Sequence, residues 1–546
     1  MDNQDLLKRA KQCESDRTTV QSIWDAIERF VTPYRGRFFE DNRTEGSIDW
    51  FKSRDVYDST AVDAHQNLSA SIHGALTSPS IRWFVMRFRS EKLNKDKKAI
   101  AWLQGAADRV YHELQDSNFN LEINESYQDL CGPGTAFLTL EEDKGPANAW
   151  NGLNFTAVPL KEGFFEQDHR GLALRFYRKL EWTPGEIISK FGEQVPDTIR
   201  AMDERGLTEK QTIYFCVYPR RPGSVDIGKK VSPSKRPWEY RYILEKGAHT
   251  LGKPGGYYEM PVFIPRWRKT SGSVWGNSPA MMALGDILTL NQARMMQLRA
   301  SEKLIDPPIF AEERSLITDL NLKAASLSVV RRIEGVKAFE TRGQISVSDH
   351  MIDQLQGAVR RYFFADQLTF PDPQAQPMTA MEVQVRYELM QRLLGPTLGR
   401  IQNDLLNPIV SRAFRMLARE GQLDQPPQIV IDEDAEFDIE YLGALARSQR
   451  MDSATASERW ISIGASLAEV YPAATDVVDA DDVMRNIGRD LGIAATSIRD
   501  ETEVEKVRNE REARQKQMAD AMAQEQAGKG AKAQAEAQAA QQEVAQ

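Results

Sequence analysis

Four residue patterns in this chain could carry chemistry. Gly223 to Lys229 (GSVDIGK) has the spacing of a P-loop, whose glycine turn and lysine would cradle a nucleotide's phosphates. Lys230 follows where a serine or threonine would hold magnesium. The next stretch, VSPSKRPWEYRYILE, carries prolines and reads as strand, not as the helix whose N-terminus must face phosphate. A glycine loop between strands is the expectation. Gly276-Asn277-Ser278-Pro279-Ala280 has the outline of a nucleophile elbow, but the second glycine is missing and proline follows the serine. A helix cap explains Ser278 better. The six histidines (His65, His73, His112, His169, His249, His350) show no HExxH or other metal-ligand spacing. The carboxylates are abundant, without the clustering of an acid–base pair or a two-metal site. No catalytic residue, metal or cofactor is expected.

Composition narrows the class further. A chain of 546 residues is too long for one core, so two to four domains are expected. Apolar and charged contents of 41% and 27% fit a globular protein in water. No run of eighteen apolar residues is present, and the start, MDNQDLLKRAKQCE, lacks an apolar signal region. No membrane association is expected. Cys13, Cys131 and Cys216 lie far apart without a CxxC, which fits a reducing cytoplasm. Net charge is −9, so tight duplex binding by a basic surplus is not expected either.

The remaining signal lies in the order of elements. Ser278 can cap a helix, and Pro279 fits the first helical position, where its missing N–H costs nothing. Leu284, Ile287, Leu288, Met295, Leu298 and Ile305 recur near a 3.6 period, with Gln292, Met296, Arg299 and Lys303 on one flank. Asp306-Pro307-Pro308 stops this helix. An excursion follows, with apolar runs Ser328 to Ile333 and Val336 to Phe339 joined at Glu334-Gly335 as a weak hairpin. A second helix runs from Ser348 to Phe364 on the stripe Ile352, Leu355, Val359 and Phe363. A proline-rich turn, Asp366 to Pro377, leads to the capping box Thr379 to Glu382. A long helix then carries Val383, Tyr387, Met390 and Leu394, kinks at Gly395-Pro396, and resumes through Ile401, Leu405, Ile409 and Leu417.

Before this centre, helices are expected over 1–32, 56–76 and 95–121, with a strand over 82–88. An α+β region with short turns follows, its strands at 135–141, 152–158, 172–179, 211–218 and 239–244. After the centre come a strand at 428–431 and a helix over 454–470 carrying Trp460, Ile463 and Leu467. The stretch 501–546 is low in complexity and lacks an apolar face, so it is either disordered or a bundle formed between subunits.

The runs WGNSPAMMALGDILTLNQ, KLIDPP and TAMEVQVRYELMQRLLGPTLGRIQNDLLNPI, in that order, resemble the head-to-tail connector, or portal protein, of short-tailed bacteriophages. DVYDSTAVDAHQNLSASIHGALTSPSIRWFVM resembles the same family, and the likeness spans roughly residues 5 to 490. It implies an α+β, predominantly helical portal fold with a wing over 1–277 and stem helices over 278–306 and 347–365. It implies a small α/β clip over 307–346, a tunnel loop over 366–378, a long kinked wing helix over 379–424 and a helical crown over 425–500.

The resemblance also implies roughly twelve copies in a homododecameric ring at one capsid vertex. Such a ring passes double-stranded DNA during packaging and ejection. Its other partners would be the large terminase motor, the major capsid protein, a tail adaptor and internal ejection proteins. The site would be the virion, after assembly in the host cytoplasm. A ring of acidic chains repels phosphate and lets DNA slide, while a few basic rings make weak, replaceable contacts.

Arg294, Arg299, Lys303, Arg360, Arg361 and Arg386 are the DNA-channel candidates, with salt bridges between subunits as the competing use. For Arg386, an i,i+4 pair with Glu382 competes evenly. Gln367, Leu368, Thr369, Phe370, Pro371, Asp372 and Pro373 are the tunnel-loop constriction, and Gly395 and Pro396 the hinge. A structural or scaffolding virion protein that forms no ring, or a nucleic-acid enzyme that has lost its motifs, are the alternatives.

Overall fold

The computed structural model describes residues 1–35, 55–79, 82–145, 150–220, 231–305, 309–311, 336–338, 345–365, 394–433, 436–441 and 504–518, with short helical pieces between 456 and 488. The helices are α1 (Asn3–Phe30), α2 (Thr60–Leu76), α3 (Lys97–Asp116), α4 (Phe119–Cys131), α5 (Pro184–Phe191), α6 (Asp197–Glu204), α7 (Pro279–Ile305), α8 (Ile345–Tyr362), α9 (Asn407–Arg419) and α10 (Gln428–Asp432). The strands that position the site are β1 (Leu138–Lys144), β2 (Trp150–Ala157), β3 (Gly163–Gln167), β4 (Ala173–Trp182), β5 (Gln211–Pro219), β6 (Trp238–Leu244), β7 (His249–Tyr257) and β8 (Val262–Phe263). The architecture is mixed α+β, mostly helical, with several small antiparallel sheets.

The described residues fall into two compact units. The first takes Met1–Val85, Ala106–Asp424 and Ile439–Leu445. Its main sheet is an antiparallel meander in the order β3-β4-β5-β6-β7. One face of the meander takes α1: Leu6, Leu7 and Ala10 lie in a buried cluster with Phe164, Tyr177, Tyr214, Cys216 and Ile243. The other face takes α5 and α6, where Ile187, Val195 and Ile199 pack on Ile213, Leu244 and Leu251. Each such buried side chain contributes about 1.5–3 kcal/mol. The capping box at Thr183 and Glu186 starts α5 where the strand ends. A second sheet, β2-β1-β8, lies in the same unit.

In the second unit, which takes Met86–Gly105, Gln425–Asp438 and Ala446–Gln546, Arg89 holds Asp438 at 2.7 Å and also pairs with Glu436, while Lys92 reaches Glu433 at 2.6 Å. Residues 428–431, expected as a strand, are helical instead. Pro427 starts that turn, and Gln428 Nε2 donates to Asp432 Oδ1 at 2.9 Å one turn later. Local capping here overrides the β-branched run. Residues 504–518 are helical and mostly exposed, and Trp460 and Ile463 are 48% and 66% exposed.

The helix expected over 95–121 is two helices, α3 and α4. Ser117 and Asn118 break it, since the Asn118 side chain bonds the backbone of Phe155 with both its ends. Short edge strands β3 and β7 and helices α5 and α6 were not expected. The excursion holds an antiparallel pair, Ile309–Ala311 with Val336–Ala338. The run 328–333 lies outside the described residues, as does the loop 223–229.

Candidate functional site: a helix pair and its anchor

The helix pair α7 and α8 is built from its root upward. Ser278 Oγ accepts the Met281 N–H at 3.0 Å, the expected cap, and donates to the Gly132 carbonyl. That carbonyl belongs to the turn Cys131-Gly132-Pro133-Gly134 at the end of α4. Gly134 has φ +87°, and Trp267 N donates to its carbonyl at 3.0 Å. Trp24 of α1 donates its indole N–H to Pro133 O at 3.0 Å and packs edge-on against Trp275 at 4.9 Å. Trp275 also meets Phe165 at 5.3 Å. The stretch expected to be a plain turn is thus the socket of α7.

Arg266 is buried beside this socket and donates to Gly171 O at 2.8 Å. His65, from α2, shares a carbonyl contact with Gln128 at 2.9 Å and faces the Phe363 ring of the α8 end at 6.4 Å. Burial pushes the His65 imidazole down to about 4, so it stays neutral.

The two rods lie side by side. Gln297 of α7 donates to Asp349 of α8. Asn291 closes two bonds of 2.7 Å on the segment before α2, accepting from Tyr57 N and donating to Asp55 O. Gln356 of α8 donates to Asp58 at 2.7 Å. Ile352, Val359 and Phe363 are buried and Leu355 is half-buried, the stripe expected for α8.

For α7 the expected stripe holds only near the root. Pro279, Ala280, Ala283, Ile287 and Leu290 are buried. Leu288 is 39% exposed, Leu298 50% and Ile305 85%. Small alanines face the body because the socket brings the backbone close. The longer apolar side chains fall where one chain has nothing to cover them.

The charged candidates lie on this pair. Arg294 is half-buried and donates to Gln297 at 2.6 Å. Arg299, Lys303, Arg360 and Arg361 are exposed, and Arg361 donates to Gly357 O at 3.2 Å within its own helix. None of these four makes an ion pair with a described residue. Arg386 and residues 367–373 lie outside the described residues. Gly395 and Pro396 are helical, in a segment that runs from 394 to 401. A break that the sequence reading did not find follows it: Gln402–Leu406 is a π-turn, with Asn407 N donating to Gln402 O. Its signal is Pro408, which cannot donate to the carbonyl one turn back and crowds it.

Past the π-turn, α9 is fixed. Arg412 donates to Leu140 O at 3.2 Å and Glu259 O at 2.8 Å, and Arg419 grips the Glu259 carboxylate at 2.7 and 3.1 Å. Among the described residues, no group of His, Cys, Asp and Glu could hold a metal, and no helix is long and apolar enough to cross a membrane. The three cysteines are free thiols.

Comparison with known proteins agrees with this arrangement. The sequence profile of the family described as bacteriophage head to tail connecting protein matches residues 3–498. A probable portal protein of Bordetella phage BPP-1 is 26% identical over 521 residues, covering 93% of this chain and 90% of its own length. The portal protein of Salmonella phage epsilon15 is 25% identical over 528 residues, covering 95% and 92%. With a family match across nine-tenths of its length, the chain belongs to the bacteriophage head-to-tail connecting, or portal, protein family, a structural family of phage virion proteins rather than enzymes.

Proposed function

We propose that about twelve copies of this chain close into a ring through which double-stranded DNA passes, with α7 and α8 forming its stem. The observation that carries this reading is the exposed far half of α7. Leu298 and Ile305 continue the face on which Ile287 is 3% exposed, yet they stand half or more in solvent. A monomer leaves that apolar stripe wet. A head-to-tail neighbour covers it, and a repeated contact between unlike surfaces closes a ring when its rotation allows. Covering each such side chain gains about 1.5–3 kcal/mol, repeated at every interface.

In this reading residues 1–277 with 379–424 form the wing, 307–346 the clip, 366–378 the tunnel loop and 425–500 the crown. The clip docks the large terminase and later the tail adaptor. The wing meets the major capsid protein, and internal ejection proteins gather at the crown. Arg294, Arg299, Lys303, Arg360 and Arg361 then repeat around the stem as basic rings in an acidic wall.

The test is a paired substitution, Leu298→Asp with Ile305→Asp. A folded single chain that no longer forms rings supports the reading. Rings of unchanged mass would overturn the assignment of this stripe to the interface.

A further inference from the structure

The long helix after residue 394 is in two pieces that are held very differently. The second piece, α9, is fixed by Arg412 and Arg419 on Glu259, with Ile409, Val410, Ala413, Met416 and Leu417 buried. The first piece, 394–401, buries Leu394, Thr397, Leu398 and Ile401, but open space surrounds Gly395 and Gly399. Between them the π-turn holds one residue more than an α-turn would. Asp404 sits in that turn, half-buried, with Arg266, Arg400 and Lys269 as its charged neighbours.

We propose that Gln402–Leu406 is a register hinge, about which 394–401 turns while α9 stays fixed, and that Asp404 latches one register through Arg266, Arg400 and Lys269. The physics is that of a π-turn as a movable fault. Passing the extra residue one position along the helix leaves the number of backbone bonds almost unchanged. It rotates everything upstream by about 100° and shifts it by about 1.5 Å. Pro408 pins the fault next to α9, because an α-turn there would lack a donor. The carboxylate of Asp404 moves with the fault. The three cations belong partly to the fixed body, where Arg266 is buried at the α7 socket, so the latch favours one register. This inference concerns the chain itself and stands or falls independently of ring closure.

Hydrogen exchange of the full-length protein tests it, whatever its oligomeric state. Amides of 394–406 should exchange at least about tenfold faster than those of 409–417. Asp404→Asn should speed 394–406 further and leave 409–417 unchanged. Deleting Asn403 together with Pro408→Ala removes the extra residue and restores the donor, and should slow 394–406 toward the rate of 409–417. Equal protection of both pieces in the unaltered protein overturns the hinge. An unchanged 394–406 rate in Asp404→Asn overturns the latch. An unchanged rate in the folded deletion variant shows ordinary end fraying and overturns the hinge as well. Should the deletion variant fail to fold, the first two measurements decide.

Discussion

Gly134 and Gly276 meet backbone to backbone. A side chain begun on Gly134 would start 2.8 Å from the Gly276 carbonyl oxygen, and one begun on Gly276 only 2.1 Å from that of Gly134. Gly134 also holds φ +87°, which a side chain would strain. Neither atom in the way is a flexible side-chain end, so the backbones must part. Gly276→Ala is expected to cost more than about 3 kcal/mol, the range of severe packing faults, and to lower the thermal midpoint sharply. An alanine variant that melts with the parent would show that the socket is looser than this contact requires.

Ser278 serves two backbone groups, capping α7 and satisfying the buried Gly132 carbonyl. Ser278→Ala should lose about 1 kcal/mol for the cap and about 1–3 kcal/mol for the orphaned carbonyl. Denaturant titration checks it. Ser278→Thr, which keeps the hydroxyl, should recover part of the loss.

The pH dependence has a defined sign. In the unfolded chain His65 titrates near 6.5, and in the folded chain near 4. Between these values the unfolded state takes the proton and the folded state does not. Stability from this group therefore falls as pH drops from about 6.5 to 4, by up to about 3 kcal/mol. Thermal midpoints at pH 7 and 4.5 should differ more in the parent than in His65→Gln, which keeps a donor for Gln128 O. Equal differences would mean that His65 is solvated.

Much of this anchor was legible in the residues. Ser278-Pro279 at one end of α7 and Asp306-Pro307-Pro308 at the other bound the helix at the positions found, 279 and 305. For α8 the apolar stripe was read correctly although the helix starts at Ile345, three residues early. The central strands β4, β5 and β6 carry aromatic and β-branched runs and were found. Their edge neighbours were not, for a physical reason. The sequence of β7, HTLGKPGGY, holds a proline and three glycines, which an edge position tolerates and a pattern search rejects. The π-turn was missed because Ile401, Leu405 and Ile409 keep α spacing across it. The exposed half of α7 could not be read at all, since periodicity tells which face is apolar and not what covers it.

Arg299 and Lys303 separate two uses of the basic side chains. If they face the channel, Arg299→Gln with Lys303→Gln should leave the ring mass unchanged. Binding of the ring to duplex DNA should weaken, with a shallower dependence on salt, because fewer counterions are released. If they pair between copies, the same substitutions should loosen the ring instead. Intact rings with an unaltered salt slope would remove both residues from the channel.

Ring closure is the claim on which the functional reading rests, and the mass of the purified full-length chain under native conditions tests it most directly, paired with images down the particle axis. The account predicts a closed annulus with a central hole and a mass near twelve times the 61.9 kDa of one chain. A particle of 61.9 kDa that stays single at high concentration would contradict it.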